Sequence, residues 1–303
     1  MPREPAADNY VGRFAPSPTG PLHFGSLLAA VASYLEARRH GGQWLLRIED
    51  IDPPREQDGA DEEILRILEA YQFEWDGPVI YQSRTEPAHR DAIRQLQDEG
   101  LAYRCGCSRK DLANAPRGPL GPIYPGTCRE GSSAEEFAIR VRTHDEPIVI
   151  DDRLQGHYQQ RLESESGDFI IERRDKLVAY QLAVVIDDVL QGVTDVVRGI
   201  DLLDSTPRQV HLQQILGLST PSYAHIPVVE HDDGSKLSKL TGAPPIRAAE
   251  ASETLCRALD ALGQRPPSAL ETAPLAEIWQ WSQENWSMSR LEGRRNIAMQ
   301  HYC

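Results

Sequence analysis

Long apolar runs are absent from this sequence: no stretch approaches the roughly 20 residues that a membrane-spanning helix requires. Its first residues, up to Tyr10, have neither a basic start nor an apolar centre, so nothing there reads as a secretory leader. Cysteine is scarce and odd in number, at five, which without a leader argues against an extracellular disulfide framework. Positive charge is also in short supply. Against 46 Asp and Glu stand 32 Lys and Arg, and the net charge of −14 sets the chain apart from nonspecific nucleic-acid binders, while leaving room for a local basic face. Repeats and low-complexity tracts are missing too. What remains is an ordinary globular composition, 40% hydrophobic and 26% charged over 303 residues, enough for two domains of about 150 residues each. The expectation is a cytoplasmic protein that works as a monomer and away from membranes.

Chemistry is most legible where turn-forming residues crowd together. Residues 13–26 read Arg-Phe-Ala-Pro-Ser-Pro-Thr-Gly-Pro-Leu-His-Phe-Gly-Ser, and Pro16, Pro18, Gly20 and Pro21 exclude regular structure there. An apolar segment follows at once, so Ser26 is the expected cap of a helix that begins at Leu27 and stops at Gly41-Gly42. The first amides of a helix lack internal partners and lie at the positive end of its dipole. His23, Gly25 and Ser26 therefore make a candidate anion site, with phosphate as the natural occupant.

Residues 10–14 and 43–49 have the short apolar pattern of buried strands and, with the helix between them, spell a βαβ unit. The opening stretch would then lie at the carboxyl edge of a parallel sheet, where such folds bind ligands. The charged turn Arg47-Ile-Glu-Asp-Ile-Asp52 falls at the same edge, although a solvated loop is the plainer reading of such a turn. Helices are expected at 64–71 and, from a capping box at Ser83-Arg-Thr-Glu86, through 88–96 to Gly100. Segments 137–141, 147–150 and 169–171 read as strands, while 176–190, strongly apolar yet holding Asp187-Asp188, is ambiguous between helix and strand. A strand at 193–198 precedes a helix capped by Asp204 or Ser205, with Pro207 in its first turn, that runs to Gly217. This second strand-helix pair would complete the sheet, and two or three helical patterns fill 250–303.

Between 102 and 133 cysteine, glycine and proline dominate and periodicity disappears, which marks an inserted module. Cys105-x-Cys107 and Cys128, with Tyr124 four residues before the last, form a candidate thiolate site for zinc. Three buried structural thiols are the plainer reading, but so Gly- and Pro-rich a segment has little core in which to bury them. Tyrosine is an uncommon fourth ligand; His144 and His157 are alternatives by chemistry. Much later, Lys236-Leu-Ser-Lys-Leu240 leaves a turn at 231–234, and its two lysines with Ser238 between them can surround a polyphosphate.

Combined, His23-Phe-Gly-Ser26 and Lys236-Leu-Ser-Lys-Leu240, flanking a split βαβ sheet, resemble the two ATP motifs of class I aminoacyl-tRNA synthetases. The Arg13 lead-in, Arg47-Ile-Glu-Asp50 with Asp52, Tyr81-Gln-Ser83, Val197-Arg-Gly199 and Ser205-Thr-Pro-Arg-Gln209 are similar to the glutamyl branch. The cysteine cluster with Tyr124, the words Arg173-Arg-Asp175 and Ala179-Tyr-Gln-Leu-Ala183, and an end soon after the lysine motif in place of anticodon-reading domains resemble the truncated paralogues, the glutamyl-Q tRNA(Asp) synthetases.

The resemblance implies an α/β class I fold: a Rossmann-like parallel sheet whose halves are residues 1–101 and 173–247, an inserted zinc-bearing, acceptor-binding module at 102–172, and a helical segment at 248–303. It implies ATP-dependent activation of L-glutamate and its transfer to queuosine in the anticodon loop of tRNA(Asp). A minimal glutamyl-tRNA synthetase charging tRNA(Glu) and a non-catalytic tRNA-binding module are the alternatives. His23, Lys236 and Lys239 would be catalytic and, with Gly25, Ser26 and Ser238, would hold ATP and its Mg²⁺. Arg13, Phe14, Ala15, Pro16, Ser17, Glu49, Tyr180 and Arg198 would line the glutamate pocket, unless Arg13 and Glu49 simply pair with each other. Cys105, Cys107, Tyr124 and Cys128 would hold one structural zinc ion. Leu240 departs from the lysine motif, which usually ends in a polar residue.

Overall fold

The structure is a computed structural model and describes residues 10–230 and 244–298. Lys236, Ser238, Lys239 and Leu240 lie outside the described residues.

Strand β1 (Val11–Phe14), helix α1 (Phe24–Arg39) and strand β2 (Gln43–Ile48) form the expected βαβ unit, with β1 parallel to β2 and Val11 opposite Gln43. Helix α1 is buried almost all round, because Leu27, Leu28, Ala30, Val31 and Leu35 leave it no polar face. Its return to the sheet is tight: a Cβ on Gly42 would run into the Tyr10 carbonyl, so only glycine fits. Helix α2 (Ala60–Ala70) leads to β3 (Ile80–Tyr81), which adds parallel to β2 with Arg47 opposite Ile80, and α3 (Glu86–Asp98) follows.

Two expected caps fail for identifiable reasons. His23, rather than Ser26, caps α1, and the helix begins three residues earlier than expected. At α3 no capping box forms, since the Asp50 carboxylate takes both the backbone N–H and the hydroxyl of Ser83, at 2.8 and 2.6 Å.

The middle of the chain carries β4 (Ala102–Cys105), β5 (Arg117–Gly118), β6 (Gly121–Pro122), β7 (Ala138–Val141), β8 (Pro147–Asp152), β9 (Gly156–Arg161), the single turn α4 (Leu162–Glu165) and β10 (Phe169–Glu172). Strands β10, β7 and β4 form an antiparallel sheet and β8 pairs with β9 as a hairpin. Asp168 staples this region: its buried carboxylate accepts from Arg129 Nε at 2.7 Å, from the Thr143 amide at 2.8 Å and from the Tyr103 hydroxyl.

The ambiguous apolar segment is a helix, α5 (Tyr180–Leu190). Strand β11 (Asp195–Gly199), helix α6 (Thr206–Ile215) and strand β12 (Ser222–Ile226) form the second parallel unit, with Arg198 opposite His225. Ser205 occupies the cap position of α6 without a side-chain bond, and Asp204 instead accepts from the Tyr158 hydroxyl at 2.7 Å. Strand β11 lies against β1: Thr194 N–H donates to Val11 O at 2.9 Å, and Val11 N–H donates to Thr194 Oγ1 at 2.9 Å.

After β13 (Val228–Glu230) come α7 (Ala251–Ala261), α8 (Leu275–Asn285) and β14 (Asn296–Ala298), the last running parallel to β13. These helices cover α1 and join its apolar core through Leu255, Leu259, Ile278 and Trp279. Trp286 Nε1–H donates to the buried Glu36 carboxylate at 2.7 Å, and Trp279 Nε1–H donates to Tyr71 O at 2.8 Å, which fix the C-terminal segment to α1 and to the end of α2. Among the described residues no helix is long and apolar enough to cross a membrane.

Candidate active site

The carboxyl ends of the parallel strands converge on a buried knot of charge. Strand β1 contributes Arg13, β2 contributes Arg47 and leads into Glu49, β11 contributes Arg198, and α5 brings Tyr180 at its start and Asp188 near its end. Asp188 Oδ1 accepts from Arg13 Nε at 3.2 Å and from Arg47 Nη1 at 2.8 Å; Arg47 Nη2 donates to Glu49 Oε1 at 3.3 Å. Arg13 therefore pairs with Asp188, and Glu49 pairs with Arg47. Asp187, next to Asp188 and also buried, adds its charge to those acting on Arg47, whereas Arg198 forms no ion pair among the described residues.

Its two carboxylates differ in character. Burial raises Asp188, but the charges of Arg13 and Arg47 outweigh it and hold the carboxyl below the usual range. At Glu49 burial prevails over the same two arginines and pushes the pKa above its ordinary value. Burial likewise raises Tyr180, which keeps its phenol as a hydrogen-bond donor.

Arg198 is held on three sides. Its Nε donates to His225 Nε2 at 3.1 Å, and its Nη2 donates to Thr206 Oγ1 at 2.9 Å and to Gln209 Oε1 at 2.7 Å. Nη1 is buried and has no partner. A charged donor in that condition is unfavourable unless something binds there.

Beside this cluster opens a cavity of about 200 Å³, lined in part by Ser17, Glu49, Gln82, Arg173 and Tyr180. The Glu49 amide donates to Pro16 O at 3.0 Å, which ties the proline loop to the end of β2. Ala15 and Pro16 are half-buried and Ser17 is exposed. Phe14 stacks its ring on Trp44 in the core, at 6.2 Å between centroids, so only its backbone faces the loop.

The anion half of the site lies at the start of α1. His23 Nδ1 accepts the Ser26 amide at 3.4 Å, which places the proton of a neutral imidazole on Nε2. His23, Gly25 and Ser26 are all half-buried. Chain from just beyond the lysine motif docks here, because Pro245 bridges His23 and the Ile246 amide donates to Leu22 O at 3.0 Å.

Away from the sheet edge, the Sγ atoms of Cys105, Cys107 and Cys128 lie within 4.8 Å of one another, a group that could hold a metal ion. Tyr124 Oη sits 3.4 Å from Cys105 Sγ and 3.7 Å from Cys107 Sγ, and accepts the Cys128 amide at 2.8 Å. Burial raises the Cys128 thiol, but hydrogen bonds from Tyr124 and the Gly106 amide bring it down to about 7, whereas burial leaves Cys107 up at about 11. Neither histidine offered by the sequence joins them: His144 packs on the His211 ring, 5.2 Å between centroids, and His157 faces Asp151.

Comparison with known proteins places this geometry. The profile of tRNA synthetases class I (E and Q), catalytic domain, matches residues 10–248. A glutamyl-Q tRNA(Asp) synthetase of Pseudomonas fluorescens is 53% identical over 92% of the chain and 93% of that protein, and one of Pseudomonas aeruginosa is 54% identical over 93% of the chain and 95% of that protein. The chain belongs to this family. The glutamyl-Q tRNA(Asp) synthetase family lies within the class I synthetases, and the protein is accordingly a synthetase-like ligase with a mixed α/β class I fold. A glutamate tRNA ligase from Elizabethkingia meningosepticum, solved with its amino acid, shares that fold with a TM-score of 0.78 at 23% identity, over 97% of the chain and 68% of the ligase.

The structure brings Arg13, Glu49, Tyr180 and Arg198, all named from the sequence, to one cluster, and joins to them Asp188, His225, Thr206 and Gln209, to which the sequence assigned no part. One signal was present for Asp188: two adjacent acids inside an apolar segment have to be paired once that segment is buried.

Proposed function

We propose that the protein activates L-glutamate with ATP and transfers the glutamyl group to queuosine in the anticodon loop of tRNA(Asp), acting in the cytoplasm. The observation that carries the first step is Arg198, a buried guanidinium with no carboxylate partner among the described residues and with Nη1 unpartnered. Glutamate brings two carboxylates and one ammonium, and a carboxylate supplies the partner that Arg198 Nη1 lacks. Arg198 and Arg13 receive carboxylates and Glu49 receives the ammonium, which favours the ionised form that burial alone opposes. Tyr180 and Ser17 add hydrogen bonds, and the backbone of Phe14, Ala15 and Pro16 shapes the wall. Glutamine leaves an arginine unpaired at a cost of a few kcal/mol, which gives rejection without an editing step.

In the activation step a glutamate α-carboxylate oxygen attacks the α-phosphorus of ATP, and pyrophosphate leaves as the acyl-adenylate forms. Positioning and charge neutralisation matter here more than a protein nucleophile. His23 Nε2–H, the Gly25 amide and the Ser26 hydroxyl would meet the phosphates, a role shared by Lys236, Ser238 and Lys239 and by the Mg²⁺ that ATP carries. In transfer, a hydroxyl of the acceptor attacks the acyl carbon, AMP leaves, and the hydroxyl proton is lost. The acceptor assignment rests on the name of the relatives and on their close identity.

We also read β1–α1–β2–β3 and β11–α6–β12 as two halves of one Rossmann-like sheet, over 1–101 and 173–247, with 102–172 inserted and 248–303 as a helical cover. The hydrogen bonds between Thr194 and Val11 support that reading. Zinc suits the cysteine site. In a tetrahedron with Zn–S near 2.3 Å and Zn–O near 2.0 Å, S···S and S···O edges come to about 3.8 and 3.5 Å. The 3.5 Å between Cys107 and Cys128 and the Tyr124 spacings lie close to those values. Zinc there would fold the Gly- and Pro-rich loop and supply no catalysis.

Pyrophosphate exchange tests activation: exchange is expected with glutamate and about a hundredfold less with glutamine. Absence of exchange from folded protein overturns the first step. Elemental analysis tests the metal, with one zinc per chain expected, lost in Cys105→Ser; a metal-free folded protein contradicts the zinc reading.

A further inference from the structure

Arg198 is gripped through two further buried side chains, each from a different strand. Its Nε donates to His225 Nε2 at 3.1 Å, and His225 Nδ1 lies 2.5 Å from Asp152 Oδ2. Relative exposures are 5% for Arg198, 0% for His225 and 4% for Asp152. The arginine is on β11, the histidine on β12, and the aspartate closes β8. The other oxygen of Asp152 is taken up by backbone amides of Leu154, Gln155 and His225 at 3.0, 2.9 and 3.2 Å, so Oδ2 alone meets the ring.

Hydrogen-bond accounting leaves one protonation state for His225. A guanidinium Nε can only donate, so His225 Nε2 must present a lone pair, and the single proton of the neutral ring sits on Nδ1 against Asp152. A proton on Nε2 would set N–H against N–H. The other groups around the ring are Thr206, whose Oγ1 is 3.1 Å from Nε2 while donating to Leu202 O, the stacked Tyr223 ring, and the charge of Asp201. Burial, helped by the Arg198 charge, outweighs the pull of Asp152 and holds His225 below its ordinary pKa, in keeping with the neutral ring.

With Nε on His225 and Nη2 on Thr206 and Gln209, the guanidinium plane is fixed and Nη1 is the donor left over. We infer that Asp152 and His225 are positioning residues for amino-acid binding: the aspartate sets the histidine tautomer, and the histidine locks Arg198 with Nη1 presented to a ligand carboxylate. This rests on reading Arg198 as a carboxylate-binding arginine. It also gives the segment between the two parallel units a direct hydrogen-bonded link into the amino-acid pocket, through the last residue of β8.

Full-length Asp152→Asn, His225→Gln, His225→Leu and Arg198→Lys test this by pyrophosphate exchange, with separate KM values for glutamate and ATP, and by ring ¹⁵N NMR of His225. Asp152→Asn keeps Oδ1 for the three amides but turns an amide N–H toward Nδ1, which forces the proton to Nε2. The expected result is a tautomer shift in the NMR and a glutamate KM raised about tenfold or more, with the ATP KM little changed. His225→Gln, whose Oε1 can accept the Arg198 Nε–H, keeps the glutamate KM within about threefold of the parent, whereas His225→Leu does not. Equal glutamate KM values in His225→Gln and His225→Leu, or parallel rises for ATP, overturn the inference even if Asp152→Asn does not fold. Arg198→Lys separates the two levels. If it leaves the glutamate KM unchanged, the pocket reading fails and the relay with it. If it raises that KM while Asp152→Asn and His225→Leu do not, the relay alone is wrong.

Discussion

At the residue scale the protein concentrates buried charge where stability gains little from it. Replacing buried ion pairs with apolar residues is often neutral or stabilising, so a cluster such as Arg13, Arg47, Glu49 and Asp188 marks a binding site more than a structural strut. Glu49→Gln is the sharpest single change, because it keeps the shape while removing the partner offered to an ammonium. The glutamate KM in exchange should rise by about ten- to a hundredfold with the ATP KM unchanged; an unaltered glutamate KM would remove Glu49 from the pocket. Arg13, Glu49 and Arg198 were legible because each sits in a recognisable short word near the end of a strand pattern. Asp188 and His225 were not, since what gives them meaning is tertiary: Asp188 reaches Arg13 across 175 residues, and His225 reaches Asp152 across 73.

The element that organises the site is the N-terminus of α1. Serine is the better cap by residue type, and so Ser26 looked like the start of the helix. His23 took the position because its Nδ1 can accept the Ser26 amide, which leaves the proposed phosphate contact to the other ring nitrogen, Nε2. Cap and anion contact can be separated experimentally. His23→Ala removes both and should lower stability by about 1 kcal/mol, whereas His23→Asn supplies a cap oxygen and should melt like the parent. Exchange should fall by about a hundredfold or more in each. Full exchange in the asparagine variant would reduce His23 to a cap. The cysteine module shows the complementary case. Its cysteines and Tyr124 were legible from sequence, and the fold of the loop brings that tyrosine to the sulfurs, while the alternatives His144 and His157 are carried off by their own partners.

Across the whole molecule, two parallel βα units share one edge of chemistry, a mixed β region lies between them in sequence, and α7 and α8 cover α1. Two or three helices within 250–303 were readable from periodicity, where the structure has α7 and α8, as was the alternation of strands and helices around the opening loop. That the last helices are anchored by Trp286 to Glu36 was not, because an amphipathic face does not name its partner. The central claim concerns the acceptor, and one experiment bears on it directly: transfer of labelled glutamate, in the presence of ATP, to tRNA(Asp) that carries or lacks queuosine, with the attachment point mapped by nuclease digestion. Label is expected only on the queuosine-bearing tRNA and only in its anticodon loop. Equal labelling of both forms, or an ester at the terminal adenosine, would contradict it.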